Sequence, residues 1–211
     1  ILSSSHRVPE GKTPILGIRS SDESIGYLCA LDHKEIEQLP EKLLRLHSET
    51  VLVERLKAEV TFQKDGTSIE TAPILNDFLF SNISPACTTR YAIDFNGHEE
   101  LHKSSGIWIS TASGSTAAIG TIGAHSQSLS DLNFQYKVRE LYPSPEHYKL
   151  SGSLFNPDKD RFVITNFNTE AILAVDGQHG CINLSVGDKI SFKRARPLLL
   201  FNPSNFIEHR A

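Results

Sequence analysis

Methionine is absent from all 211 residues. A natural chain of this length rarely lacks it. The expectation is a sequence whose start is missing, or one from which methionine-derived residues have been dropped. In the second case some neighbours are not truly adjacent, and spacings shift by one. Cysteine is scarce: Cys29, Cys87 and Cys181 have no metal-like spacing. Their odd number and apolar neighbours predict reduced thiols in an intracellular, cytoplasmic protein rather than a disulfide framework. Among nine histidines only His98 and His102 stand four apart, and no third ligand accompanies them. They are expected at the surface, with no metal site. A basic surplus is also missing. The formal charge is −4, which argues against a nucleic-acid partner. The one dense basic cluster, Lys193-Arg194-Ala195-Arg196, reads as a solvated strand end. No apolar run approaches the roughly 18 residues that span a bilayer, and Ile1 to Gly11 lacks the apolar core of a signal peptide.

What remains is an ordinary globular profile, 39% apolar and 22% charged, enough for one large domain or two small ones. Pro14 to Ile18 reads as a buried strand. Asp32 to Leu46 has apolar residues at Ile36, Leu39, Leu43 and Leu46, the spacing of a helix face. Asp32 with Glu35 is a capping box, and Pro40 suggests two short helices instead of one. From Val51 onward strand-like runs recur: Val53 to Phe62, Ile74 to Phe80, Thr89 to Phe95, Ile107 to Ser110, Arg161 to Asn166, Ala171 to Val175, Lys189 to Lys193 and Leu198 to Phe201. Turn signals separate some of them, at Lys64-Asp65-Gly66, Asn96-Gly97 and Asp176-Gly177. Ala117 to Ala124 suits a short helix. Ser126 to Leu150, polar and with two prolines, is expected to be a long connection with little regular structure. The fold class expected is α+β, with a boundary near Ser48: residues 1–48 as the tail of an α/β domain, 49–211 as an all-β sandwich.

One stretch stands out for chemistry. Ser110-Thr111-Ala112-Ser113-Gly114-Ser115-Thr116-Ala117-Ala118 follows the apolar Ile107-Trp108-Ile109, and six of its nine residues are Ser, Thr or Gly. Hydroxyls pack poorly in a core unless they find partners. Small side chains and hydroxyls at the end of a strand suit a polar ligand such as a nucleotide. A plain Ser/Gly-rich loop is the alternative.

The order of residues from Ser105-Gly106 through Ala117 resembles the signature of NAD kinases, in which a strand opened by Asp-Gly or Ser-Gly runs into Ser-Thr-Pro-Thr-Gly-Ser-Thr-Ala-Tyr. Ala112 replaces the family's proline, Ala118 its tyrosine, and Ser105 its usual aspartate. Pro14-Ile15-Leu16-Gly17-Ile18 with Ser24 to Cys29, Ile74-Leu75-Asn76-Asp77 with Phe78 to Phe80, and Asp176-Gly177-Gln178 with Leu184 to Ile190 resemble further family segments in the same order. The resemblance covers residues 14 to 200. The family's Gly-Gly-Asp-Gly-Thr is absent. Ile1 to Val8 resembles the family segment just downstream of that motif, so the catalytic Asp is expected upstream of Ile1.

The resemblance implies an N-terminal α/β domain and a C-terminal β-sandwich with the active site between them. It also implies transfer of a phosphoryl group from ATP or polyphosphate, with Mg²⁺, to the 2′-hydroxyl of the adenosine ribose of NAD, in a homo-oligomer. Ser113, Thr116, Ala117 and Thr121 are then expected to line the NAD pocket. Tyr27 would stack on a base or serve as a core aromatic. Ser105 would meet the nicotinamide end without charge. On a strand, Asn76 and Asp77 point to opposite faces. Asn76 would then bond adenine or ribose and Asp77 would brace a neighbouring loop, with an Asx turn as the other reading. Asp176, Gly177 and Gln178 form an active-site loop or a hairpin turn. Two alternatives stand beside the kinase: an inactive NAD(H)-binding module, and a relative of the diacylglycerol and sphingosine kinases.

Overall fold

The computed structural model describes residues 1–8, 13–23, 27–44, 50–142 and 147–201. The chain divides into two compact units, Ile1–Val53 with Arg196–Ala211, and Glu54–Ala195. The boundary expected at Ser48 falls among residues outside the description.

The smaller unit holds a one-turn helix α1 (Leu2–Ser5) and two short parallel strands, β1 (Ile18–Arg19) and β2 (Leu31–Asp32). Ile15 bridges Leu200, the Ile15 N–H donating to Leu199 O at 2.9 Å. The capping box forms as its spacing predicts: Asp32 accepts from the Lys34 N–H, and Glu35 accepts from the Asp32 N–H. It opens a 3₁₀ helix (His33–Gln38) that passes into α2 (Leu39–Leu44), so two short helices stand where Pro40 allowed for them. Leu46 lies outside the described residues. Tyr27 is half-buried in this unit.

The larger unit is a sandwich of two six-stranded sheets, as expected. The strands of the two sheets are β3 (Thr50–Thr61, its first four residues counted in the smaller unit), β4 (Ser68–Glu70), β5 (Asp77–Asn82), β6 (Thr89–Phe95), β7 (His98–Ser104), β8 (Gly106–Ser110), β9 (Phe134–Arg139), β10 (Gly152–Phe155), β11 (Phe162–Asn166), β12 (Ala171–Val175), β13 (Gly180–Leu184) and β14 (Lys189–Phe201, counted in the smaller unit from Arg196 on). One sheet runs β10-β9-β8-β5-β12-β13 and the other β4-β3-β14-β11-β6-β7. Alternating burial along β11 and β12 sends Phe162, Ile164, Leu173 and Val175 inward to a single core with Phe78, Phe80, Tyr136 and Phe155. Aromatic rings dominate that core: Phe162 stacks on Tyr136 at 4.5 Å and on Phe192 at 5.1 Å.

Several expectations are corrected. Ser126 to Leu150 is not all connection, since Phe134–Arg139 forms β9 in the middle of a sheet. The runs at Lys189 and Leu198 are one strand that continues through Pro197. His98 is exposed but His102 is 2% exposed, its ring stacked on Tyr91 at 5.4 Å and Tyr148 at 4.7 Å, with Nε2 2.8 Å from Glu100 Oε1. Burial draws its pKa down, with Glu100 pulling the other way. The basic cluster is not merely solvated. Arg194 pairs with Glu54 and Asp158 and lies over the Phe134 ring at 5.2 Å, and Lys193 pairs with Glu59 and Glu70. Among the described residues no helix is long and apolar enough to cross a membrane.

Candidate functional site

Strands β8, β5 and β12 lie side by side, and β5 runs opposite to both neighbours. Asp77 at the start of β5 therefore faces Ser110 at the end of β8, and Phe78 faces Val175 at the end of β12. This register brings three segments from distant parts of the sequence to one end of the sheet. They are Leu75-Asn76 entering β5, the Ser/Thr run leaving β8, and Asp176-Gly177-Gln178 leaving β12.

The Leu75-Asn76 dipeptide is the hub. The Asp176 carboxylate accepts the N–H groups of Leu75 (2.9 Å), Asn76 (2.8 Å) and Asp77 (3.1 Å). Thr111 Oγ1 and Ser113 Oγ donate to Leu75 O, while Ser110 Oγ (3.2 Å) and the Thr111 N–H (3.0 Å) donate to Asn76 O. Every backbone polar group of the dipeptide is thus satisfied within the protein. Gly114 presses against it from the other side. A Cβ there would lie 2.2 Å from Asn76 O and 2.6 Å from its carbonyl carbon, so only glycine permits this approach.

The Ser/Thr run thus divides by role. Ser110, Thr111, Ser113 and Ser115 are buried; the first three turn their hydroxyls to the Leu75-Asn76 carbonyls, and Ser115 Oγ accepts from the Gln127 N–H at 3.0 Å. Thr116 and Thr121 are exposed and Ala117 is half-buried. Ala118–Ile122 forms a 3₁₀ turn, within which Thr121 Oγ1 donates to Ala118 O at 2.7 Å. Asn76 is half-buried and precedes β5, whereas Asp77, the first residue of that strand, is 7% exposed. Burial, reinforced by the Asp176 charge, pushes the Asp77 carboxyl up to about 7. Asp176 is 3% exposed, and Gly177 and Gln178 are exposed beside it.

Ser105 is not brought to this cluster. It precedes β8, at the far end of a five-residue strand from Ser110, roughly 17 Å along the sheet. There it lines a cavity of about 360 Å³ with Asn82, Cys87, Arg139 and others. Tyr27 belongs to the other unit.

Sequence reasoning missed Arg55, 1% exposed on β3. Burial lowers its pKa, opposed by the Asp176 charge. Nothing in its half-polar neighbourhood marked it. It also missed that Thr111 and Gly114 serve the backbone of Asn76, a contact between residues more than thirty positions apart. Among the described residues, one group has metal-like donor geometry, Asp22, Asp32 and His33 in the smaller unit. Its two carboxylates are already paired with Arg19 and Lys34.

No family model matches the chain. It is 26% identical over 232 aligned residues to a probable NADH kinase of Oryza sativa subsp. japonica, taking in 99% of this chain and 69% of that protein. It is 29% identical over 187 residues to an NAD kinase of Aquifex aeolicus (strain VF5), taking in 87% of this chain and 64% of that one. Among solved structures, yeast NADH kinase complexed with NADH superposes with a TM-score of 0.77 at 18% identity, over 92% of this chain and 55% of that one. An NAD kinase from Archaeoglobus fulgidus in complex with ATP gives 0.76 at 16% identity, over 99% and 76%. The chain spans about two thirds of the length of the curated relatives it matches. The motifs, the likeness in sequence and the shared fold agree: the chain is similar to NAD and NADH kinases and has their fold.

Proposed function

We propose that this chain is the dinucleotide-binding part of a kinase that transfers the γ-phosphoryl of ATP to the 2′-hydroxyl of the adenosine ribose of NAD or NADH. One observation carries the reading: the Asn76 backbone is bonded on all sides, so its half-buried side-chain amide is the group left to meet a ligand at the sheet end. A primary amide offers two donors and an acceptor, which suits adenine edges and ribose hydroxyls. Thr116, Ala117 and Thr121 follow Gly114, which packs on the Asn76 backbone, and their small side chains would admit a planar ring, while Gln178 adds an exposed amide. Ser113 acts indirectly, through Leu75.

Phosphoryl transfer depends on positioning and on neutralising charge. This chain's residues supply positioning. The reaction's metal would neutralise phosphate charge, but the residues described here do not fit it, because their one three-ligand group is already taken up by ion pairs. No step is therefore assigned to a metal on this chain. By family resemblance the general base would be the Asp of the Gly-Gly-Asp-Gly-Thr motif, a role assigned to none of the residues described here.

Calorimetric titration of NAD into the chain, with Asn76→Ala alongside, tests the reading. Binding that weakens by about 1–3 kcal/mol in the variant supports it. Equal affinity for both would remove Asn76 from the site. Binding without turnover in the full-length protein would make it a nucleotide-binding module.

A further inference from the structure

We infer that Asp176 is a positioning residue, whose carboxylate holds the Leu75–Asp77 backbone and through it aims the Asn76 amide at the nucleotide. The inference rests on the proposed nucleotide site and deepens it. A turn aspartate ordinarily bonds within its own loop. Asp176 instead accepts three N–H groups about one hundred residues away in sequence, two of them on one oxygen. Its own N–H donates to Asp77 O at 2.9 Å, so the two segments are tied in both directions. Such a reach needs an unusual backbone. Asp176 has φ +44 and Gly177 φ +71, a left-handed pair that turns the carboxylate back over the entry to β5. A charged acceptor of three amide bonds is among the stronger ways to fix a backbone. With Thr111 and Ser113 on the carbonyl side, the dipeptide has little freedom left. A preorganised amide loses less entropy when a ligand arrives.

The sandwich contains a matched control. Asn96 and Gly97 form a second left-handed pair, φ +53 and +85. Gly97 and Gly177 both open onto empty space, with no atom within 4 Å of an added Cβ. An alanine at either position therefore meets the same backbone strain and no clash. The Asn96 pair instead sits in the hairpin between β6 and β7.

The test uses NAD titration by calorimetry on the chain and five variants, one of them the Asp176→Asn/Asn76→Ala double, with thermal unfolding as a parallel reading. Asp176→Asn should raise the Kd for NAD about 10-fold, and should add little when Asn76 is already Ala. Gly177→Ala should weaken NAD binding several-fold, whereas Gly97→Ala, with a similar fall in melting temperature, should leave the Kd unchanged. The glycine pair keeps the test decisive if Asp176→Asn fails to fold. Equal Kd values for Gly177→Ala and Gly97→Ala would overturn the inference. So would additive losses from Asp176→Asn and Asn76→Ala. A wild-type chain that binds no NAD would overturn the functional reading and this inference with it. Loss on Asn76→Ala alone would overturn only this inference.

Discussion

Replacing Asp77 by Asn isolates the cost of a buried carboxyl. Asp77 is 7% exposed, and burial together with the Asp176 charge moves its pKa from 3.8 to about 7. Between these two values the folded protein keeps a proton that the unfolded chain has released. Stability therefore falls as pH rises through this window and levels off above about 7. A shift of about three units at roughly 1.4 kcal/mol each gives a total of about 4 kcal/mol. About 3 kcal/mol of it is lost between pH 5 and pH 8. Asparagine has nearly the same shape and no charge, so Asp77→Asn should escape this loss. The assay is urea unfolding of both proteins across that range. Taking the difference between them cancels other titrating groups. His102 is one such group: burial lowers its pKa, which withdraws stability as pH falls. The variant should match the parent to within about 1–2 kcal/mol at pH 5 and exceed it by about 3–4 kcal/mol at pH 8. A difference that does not change with pH would refute the reasoning, because the carboxyl would then titrate alike in folded and unfolded chains.

Three further outcomes concern the same site and its surroundings. Gly114→Ala should destabilise the chain by about 3 kcal/mol in urea unfolding and abolish NAD binding, because its Cβ meets Asn76 backbone that cannot yield; near-wild-type stability would contradict the packing. Thr111→Val should cost about 1–3 kcal/mol by leaving buried carbonyls short of a donor, while Thr121→Val, whose hydroxyl is exposed, should cost less than about 0.5 kcal/mol; equal losses would sink the division of the Ser/Thr run into inner and outer hydroxyls. Arg194→Ala should lower stability by about 2–3 kcal/mol and Arg194→Lys should recover less than half, because an ammonium cannot reach Glu54, Asp158 and Leu132 O while lying over Phe134; full recovery by Lys would show that charge alone matters there.

Much of the fold was legible because local pattern was enough. Thr89–Phe95 and Ala171–Val175 are strands over the very residues whose apolar, β-branched runs predict them. The Asp32 capping box and the Asp65-Gly66 hairpin need only local spacing. β7 was not legible. His98–Ser104 is a charged edge strand whose inward positions are His102 and Ser104, and such polarity protects an edge while hiding its period. β9 was lost because its flanks, Ser126 to Asn133 and the prolines after Tyr142, dominate the window around it. At the site the sequence singled out the segments that the sheet register brings together, but not the backbone groups that their side chains meet. The Ser/Thr run reads as suited to a polar ligand, and within it the hydroxyls of Thr111 and Ser113 bond a backbone some thirty-five residues away. That partnership depends on the register of β5 between β8 and β12, which no local pattern reveals.

If the Asn76 sheet end receives the dinucleotide that is phosphorylated, losing the Asn76 amide must slow the reaction itself. The measurement is NADP or NADPH formation by the full-length protein supplied with ATP and Mg²⁺, with wild type and Asn76→Ala compared at equal folded concentration. The wild type should turn over NAD or NADH, and kcat/KM should fall about 10- to 100-fold in the variant. Undiminished turnover by Asn76→Ala, or a wild type that phosphorylates neither dinucleotide, would show that the sheet end is not the substrate site.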